Sequence, residues 1–277
     1  MTKMKVGCLL AVIAVSAWLL SAVNVQALTM EPPLPSSCNE AKETADPLAK
    51  VSLYTRCLEY GKFYAEYQRN EMYFHRANAL FELRRYAEAL ADYNRFIPTT
   101  GGHVWALHQR GLTHQAMGQR QLAVADFNKA LESNPDAFFV LFDRGQLLAA
   151  MGQYERALKD LRRAETLAAT YSSTNLAAFA NALAWLLATC PDAGIHDGRE
   201  AVRFALKAVS IDRNAIYLDT LAAAQARKGD FKQAVETQQA ALDLLQKEKA
   251  VQETLREFTA RLSLYKEGKP CTQHRPE

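Results

Sequence analysis

Gly111 is followed, after the turn Met117-Gly118-Gln119, by Ala123, Phe127 and Ala130. Thirty-four residues on, Gly145 is followed by the turn Met151-Gly152-Gln153 and then Ala157, Leu161 and Ala164. Thirty-four residues back stand Ala77, the turn Leu83-Arg84-Arg85, then Ala89, Tyr93 and Phe96. Three consecutive units in one frame without a slip constrain the fold more than any other feature of the chain. Each unit reads as two helices joined by a short turn. Small residues (Gly111 on the first helix, Ala123 and Ala130 on the second) sit where antiparallel helices approach most closely, because helix spacing follows side-chain size at the contact. Tyr86 and Tyr154, two residues past the turn's middle residue, fill the wedge between helices, and Asn134-Pro135 ends a unit because proline cannot continue a helix. With 12 Gly, 9 Pro and few runs of Val, Ile and Thr, the rest of the chain favours helix over sheet.

The pattern resembles the tetratricopeptide repeat family, which places small residues at the eighth, twentieth and twenty-seventh positions and proline near the thirty-second. Gly111, Ala123, Ala130 and Pro135 match all four; Ala169 stands at the proline place of the next unit, and Phe96 stands where a small residue is usual. The resemblance implies an all-α fold, a right-handed α-solenoid of stacked helix-turn-helix repeats. Two variant units follow. In one, Ala201, Ala205 and Ala208 form a second helix partnering Ala177 to Thr189 across a loop, 190–198, about five residues longer than a standard turn. The other carries Leu221-Ala222, the turn Lys228-Gly229-Asp230, then Phe231, Ala234 and Ala241. Val251, Leu255, Phe258, Leu262 and Tyr265 fall on one face of a last helix, the half-polar cap that a solenoid needs to close its final apolar surface. The expected organisation is a signal peptide over 1–27, a degenerate first repeat and linker over 28–69, three repeats over 70–171, two variant repeats over 172–248, and capping helix and tail over 249–277.

In the family, the first helix of each unit lines a concave groove. The resemblance carries that role onto Glu71, Phe74, Asn78, Phe81 and Glu82, then Trp105, His108, Leu112, Gln115 and Ala116, then Phe139, Phe142, Gln146, Ala149 and Ala150. Phe74, Phe81, Trp105, Leu112, Phe139 and Phe142 would form an apolar, aromatic strip suited to an amphipathic helix or extended peptide. The alternative is that these side chains pack on neighbouring repeats or that the chain's own amino-terminal segment fills the groove. Of a carboxylate clamp built from Lys, Asn and Arg, only Asn78 is present.

Leu53 to Leu58 aligns with Asp92 to Ile97, so Cys57 takes a small-residue place on a second helix and Cys38, nineteen residues earlier, the small-residue place on the first. Those places touch in the repeat, which makes a Cys38–Cys57 disulfide geometrically reasonable. Cys190 and Cys271 have two readings: a bridge tying the tail back across two repeats, or a buried Cys190 and an unbridged Cys271.

Lys3 and Lys5, the apolar run Val6 to Val23 and the ending Val25-Gln26-Ala27 form the pattern of a secretory signal peptide cut after Ala27. An uncleaved anchor is the rival, since roughly 18 apolar residues just reach the length of a span. Removing residues 1–27 takes away two lysines and no acid, so the net charge falls from +3 to +1. A mixed, near-neutral surface lacks the electrostatic footprint of a nucleic-acid binder.

Catalytic motifs are absent: no phosphate loop, no pair of Cys-x-x-Cys units, no His-Glu-x-x-His and no Gly-x-Ser-x-Gly. His196, Asp197 and Asp192 could bind a divalent metal, but a solvated loop with Asp197 capping the next helix accounts for the same residues. The resulting expectation is an exported, periplasmic interaction scaffold or adaptor. It has no cofactor and binds an apolar peptide or helix; a self-associating homodimer comes next, and a metal-dependent enzyme last.

Overall fold

The computed structural model describes residues 36–60, 66–170, 175–247 and 251–273, and all regular structure among them is helical. The expected leader, 1–27, lies outside the described residues. Thirteen α-helices are described: α1 (Ser36–Glu43), α2 (Pro47–Tyr60), α3 (Glu66–Glu82), α4 (Tyr86–Phe96), α5 (Val104–Ala116), α6 (Arg120–Ser133), α7 (Phe138–Ala150), α8 (Tyr154–Thr170), α9 (Leu176–Thr189), α10 (Gly198–Ile211), α11 (Ala215–Lys228), α12 (Phe231–Lys247) and α13 (Gln252–Lys266). Within each unit the helices pair into the stacked hairpins of an α-solenoid. Two compact units divide the chain, one ending at Thr99 and the other beginning at Thr100. Among the described residues no helix is long and apolar enough to cross a membrane.

The hairpin turns repeat atom for atom. Gly118, Gly152 and Gly229 take φ of 75°, 75° and 97°, and the next residue's amide reaches back to close the helix: Gln119 to the His114 carbonyl, Gln153 to Leu148 and Asp230 to Gln225, each at 2.9 Å. A left-handed residue is what lets the chain reverse while satisfying those carbonyls. Arg84 makes the same turn at φ 58° with Arg85 bonded to the Leu80 carbonyl at 2.9 Å, and no other described non-glycine residue has positive φ.

Close approach explains the small residues. A β-carbon on Gly111 would lie 2.5 Å from the Phe127 ring, and one on Gly145 would lie 2.9 Å from Leu161 Cγ. Ala77, Ala89, Ala123, Ala130, Ala157 and Ala164 are wholly buried. Phe96, at a usually small place, stacks on Phe74 with centroids 4.9 Å apart.

A second periodic feature joins each pair of helices. Arg76, Arg110 and Arg144 each precede the hairpin's small residue, and each grips an aspartate sixteen residues later through two hydrogen bonds. Arg76 holds Asp92 at 2.7 and 2.8 Å, Arg110 holds Asp126 at 2.7 and 2.6 Å, and Arg144 holds Asp160 at 2.7 and 2.8 Å. Forked pairing of this kind is the strongest form of side-chain hydrogen bond. In the α9–α10 hairpin the corresponding places hold Phe179 and Phe204, both buried.

In the first unit, Cys38 and Cys57 are joined by a disulfide with α-carbons 5.2 Å apart. In the second, α13 closes the last hairpin with Phe258, Leu262 and Tyr265 buried. Val251 does not share that face: it is the extended N-cap residue and is 72% exposed.

Candidate functional site

The strip expected from the resemblance falls in both units. In the first, Phe74 and Phe81 are half-buried; Phe74 packs on Phe96 and Phe81 on Tyr86 at 5.6 Å. Asn78 accepts a 2.7 Å hydrogen bond from the hydroxyl of Tyr93, whose pKa burial pushes up. These three side chains are largely engaged within their own hairpin.

In the second unit, Trp105 at the start of α5 lies flat on Phe139 of α7, with centroids 4.1 Å apart and planes 10° from parallel, yet it remains 53% exposed. His108 is buried, its Nε2 within 2.6 Å of the Asp143 carboxylate and its ring edge-on to Phe139. It therefore links α5 to α7 instead of facing a ligand. Leu112 is half-buried, and Phe142 turns toward α9, 4.3 Å from Phe179 by ring centroid.

Phe142 and Gln146 of α7 line one wall of a cavity of about 450 Å³. Asn181, Ala182 and Trp185 of α9 form the facing wall, Tyr217 of α11 one end, and Gln273 of the tail a further edge. Small residues open the space: Ala149, Ala150, Ala178 and Ala182 leave room where larger side chains would close it. The lining is apolar with polar points. Asn181 Oδ1 is buried without a hydrogen-bond partner, so it can accept an N–H from a guest. The Arg261 guanidinium lies 5.6 Å from the Trp185 ring centroid and is paired with Asp219 at 2.8 Å. Burial raises the pKa of Asp219 although Arg261 and Gln238 both stabilise its charged form.

Sequence reasoning named Phe142 and Gln146 but missed Asn181, Trp185 and Tyr217. The signal was present: Asn181 follows the small residue Ala180 as Gln146 follows Gly145. An alanine-rich helix reads as plain core until coordinates show which alanines face open space.

The long loop after α9 is solvent-exposed at Asp192, Ala193, Gly194 and Asp197, as expected, but its other residues pack inward. Ile195 is buried, the His196 ring lies between the Cys190 carbonyl and the Arg227 guanidinium, and Gly198 abuts the backbone of α11, where a β-carbon would come within 2.6 Å of Lys228 N. Asp197 caps α10 by accepting from the Glu200 amide at 2.9 Å. Among the described residues no group of three or more His, Cys, Asp or Glu side chains could hold a metal ion. Cys190 and Cys271 are not bridged, as the second of the two readings has it, and Cys271 is buried in the same core cluster as Cys190.

The sequence model of the tetratricopeptide repeat family matches residues 51–103 and 108–172. No curated protein matches the chain significantly. Among solved structures, MamA from Desulfovibrio magneticus RS-1 is 22% identical, with a TM-score of 0.56 over 66% of this chain and 97% of that one. A tetratricopeptide repeat protein from Parabacteroides merdae is 17% identical, with a TM-score of 0.62 over 84% of this chain and 85% of that one. YrrB, described as a TPR protein with an unusual peptide-binding site, is 20% identical, with a TM-score of 0.55 over 69% and 91%. At these identities the likeness speaks to fold alone. Repeat register, hairpin geometry and the family match agree: residues 51–103 and 108–172 of this chain are tetratricopeptide repeats.

Proposed function

We propose that the chain is a protein-interaction scaffold and that the cavity between α7, α9 and α11 receives an apolar side chain of a partner peptide or helix. The carrying observation is the cavity itself. Its volume of about 450 Å³ falls in the range of ligand sites, and it pairs Phe142, Trp185 and Tyr217 with an unsatisfied amide oxygen on Asn181. Apolar walls with a few placed polar atoms are how a groove gains affinity from burial and orientation from hydrogen bonds. YrrB is described as having a peptide-binding site, which supports the same use of this fold. The leader pattern in residues 1–27 supports export, with the scaffold working in the periplasm; the amino-terminal sequence of the mature protein tests that part.

Crosslinking with mass spectrometry in the native host identifies the partner, and capture by purified protein then tests the site. Ala182→Phe, which fills the cavity, and Trp185→Asp, which charges its wall, should each abolish capture while helical circular dichroism stays near wild type. Capture that survives both changes refutes the cavity as the docking point.

A homodimer is the second reading, favoured by the half-exposed Trp105 lying on Phe139. Light scattering across concentrations separates the two, because a dimer through this face dissociates in Trp105→Asp.

A further inference from the structure

We propose that a cavity between α2, α3 and α4 of the first unit binds a small free carboxylic acid, with the carboxylate on Arg95 and Arg76 and the apolar tail on Val51 and Leu80. The cavity has a volume of about 350 Å³ and shares no residue with the one that Trp185 borders, so either site can fail without the other.

Its two ends differ in character. Arg76 Nη1 donates to Thr55 Oγ1 at 3.1 Å, while Nε and Nη2 grip Asp92. Those three residues, with Arg95 one turn beyond Asp92 on α4, make the polar end. Val51 and Leu80 lie one turn away on α2 and α3, buried in the same apolar cluster, and make the other end. The Arg85 amide bonds to the Leu80 carbonyl there, and its side chain is held by Glu88 at 2.7 and 2.6 Å. Between the ends stands Ala91, whose single methyl group leaves the space open.

The charge balance selects the guest. Arg76, Arg85 and Arg95 line the cavity against Glu88 and Asp92, one cation in excess. Asp92 answers Arg76 and Glu88 answers Arg85, so the excess rests on Arg95. Its guanidinium lies over the Tyr73 ring, 4.9 Å from the centroid, and meets no carboxylate among the described residues. Two hairpins on, the matching residue is Arg163, which Asp136 neutralises at 2.5 Å, and Lys159 stands in the place of Ala91. Open space and an unanswered charge thus coincide only in the earlier hairpin of the two. Arg76 adds donors: a guanidinium has five N–H groups, and Asp92 and Thr55 occupy one on each of its three nitrogens. A single negative charge balances the site. A second would face Glu88 and Asp92 unopposed, which disfavours a phosphate dianion. Burial of an aliphatic tail at the Val51 end supplies the remaining affinity.

Titration of the full chain with hexanoate, followed by amide NMR shifts, tests the site. The amides of Thr55, Ala91 and Arg95 should move together and saturate, less readily at high salt. Hexanamide, which has the same tail without the charge, should bind about tenfold more weakly or worse, as should inorganic phosphate. Arg95→Gln should weaken hexanoate binding about tenfold, and Arg95→Lys should restore part of the loss. Ala91→Leu, at an exposed position, should fill the cavity and abolish binding while helical circular dichroism stays near wild type. Absence of saturable shifts, shifts scattered over both units, hexanamide or phosphate binding as tightly as hexanoate, or unaltered binding in Ala91→Leu would each overturn the proposal. The comparison of hexanoate with hexanamide on wild-type protein decides the question even if a variant folds poorly.

Discussion

Arg110 and Asp126 face each other across the α5–α6 hairpin with two parallel hydrogen bonds of 2.7 and 2.6 Å, and the pair recurs as Arg76–Asp92 and Arg144–Asp160. Their aspartate side chains are only 4–7% exposed, so neither charge can fall back on water when its partner is removed.

Removing one member should therefore cost more than removing both. Asp160→Leu leaves Arg144 a partly buried, uncompensated cation and should destabilise by about 3 kcal/mol. Arg144→Leu combined with Asp160→Leu should recover most of that loss, because Phe179 and Phe204 already fill the matching places one hairpin later. Urea unfolding of the two single variants and the double variant gives the coupling directly; purely additive losses would contradict it.

The three close-approach glycines should rank by what they would strike. Gly145→Ala meets Leu161 Cγ at 2.9 Å, the longest of the three approaches, and should be the mildest, while Gly111→Ala meets the Phe127 ring at 2.5 Å and should cost about 1–3 kcal/mol. Gly198→Ala meets backbone at the end of α11 and should be the worst. Chemical denaturation midpoints should fall in that order.

Arg84 occupies the left-handed turn position that glycine holds in three other hairpins. An L-residue there costs roughly 1–2 kcal/mol, and glycine returns part of the gain as unfolded-state entropy. Arg84→Gly should thus stabilise the first unit by about 0.5–1 kcal/mol. A lowered melting temperature would show that Arg84 makes a compensating contact.

Burial lowers the pKa of His75, which stacks on Tyr54 at 5.7 Å, below its ordinary 6.5; Lys42 and Lys50 push the same way and Glu71 opposes. The fold thus prefers the neutral ring. The contribution is complete above pH 6.5 and is lost as pH falls through the lower, folded-state value. Stability measured on either side of pH 6.5 should drop on the acid side, and His75→Phe should flatten that drop. An unchanged acid slope in the variant would assign the loss to carboxylates.

The hairpins were readable because close packing leaves a size signature at fixed spacing. Gly111, Ala123 and Ala130 could hardly be anything else. The arginine–aspartate pairs recur with equal regularity but escaped notice, since a charged residue on an amphipathic helix is normally taken for solvated surface. Phe142 and Gln146 came from register alone, whereas Trp185 and Asn181 required that register to cross the long loop's hairpin. His108 shows the opposite limit: its place pointed to the groove, but Asp143, thirty-five residues on, drew it into the interior. The tail's return to α9 depends on Arg227 finding carbonyls from two distant segments, a match that no spacing rule encodes.

At the far end, Arg261 of α13 and Gln238 of α12 both bind the Asp219 carboxylate, and Phe258 and Leu262 cover Ala241, Leu242 and Leu245. Any further hairpin would have to evict an ion pair before it could dock. Stacking onto this face is thus opposed by a buried charge pair as well as by the cap's own apolar packing.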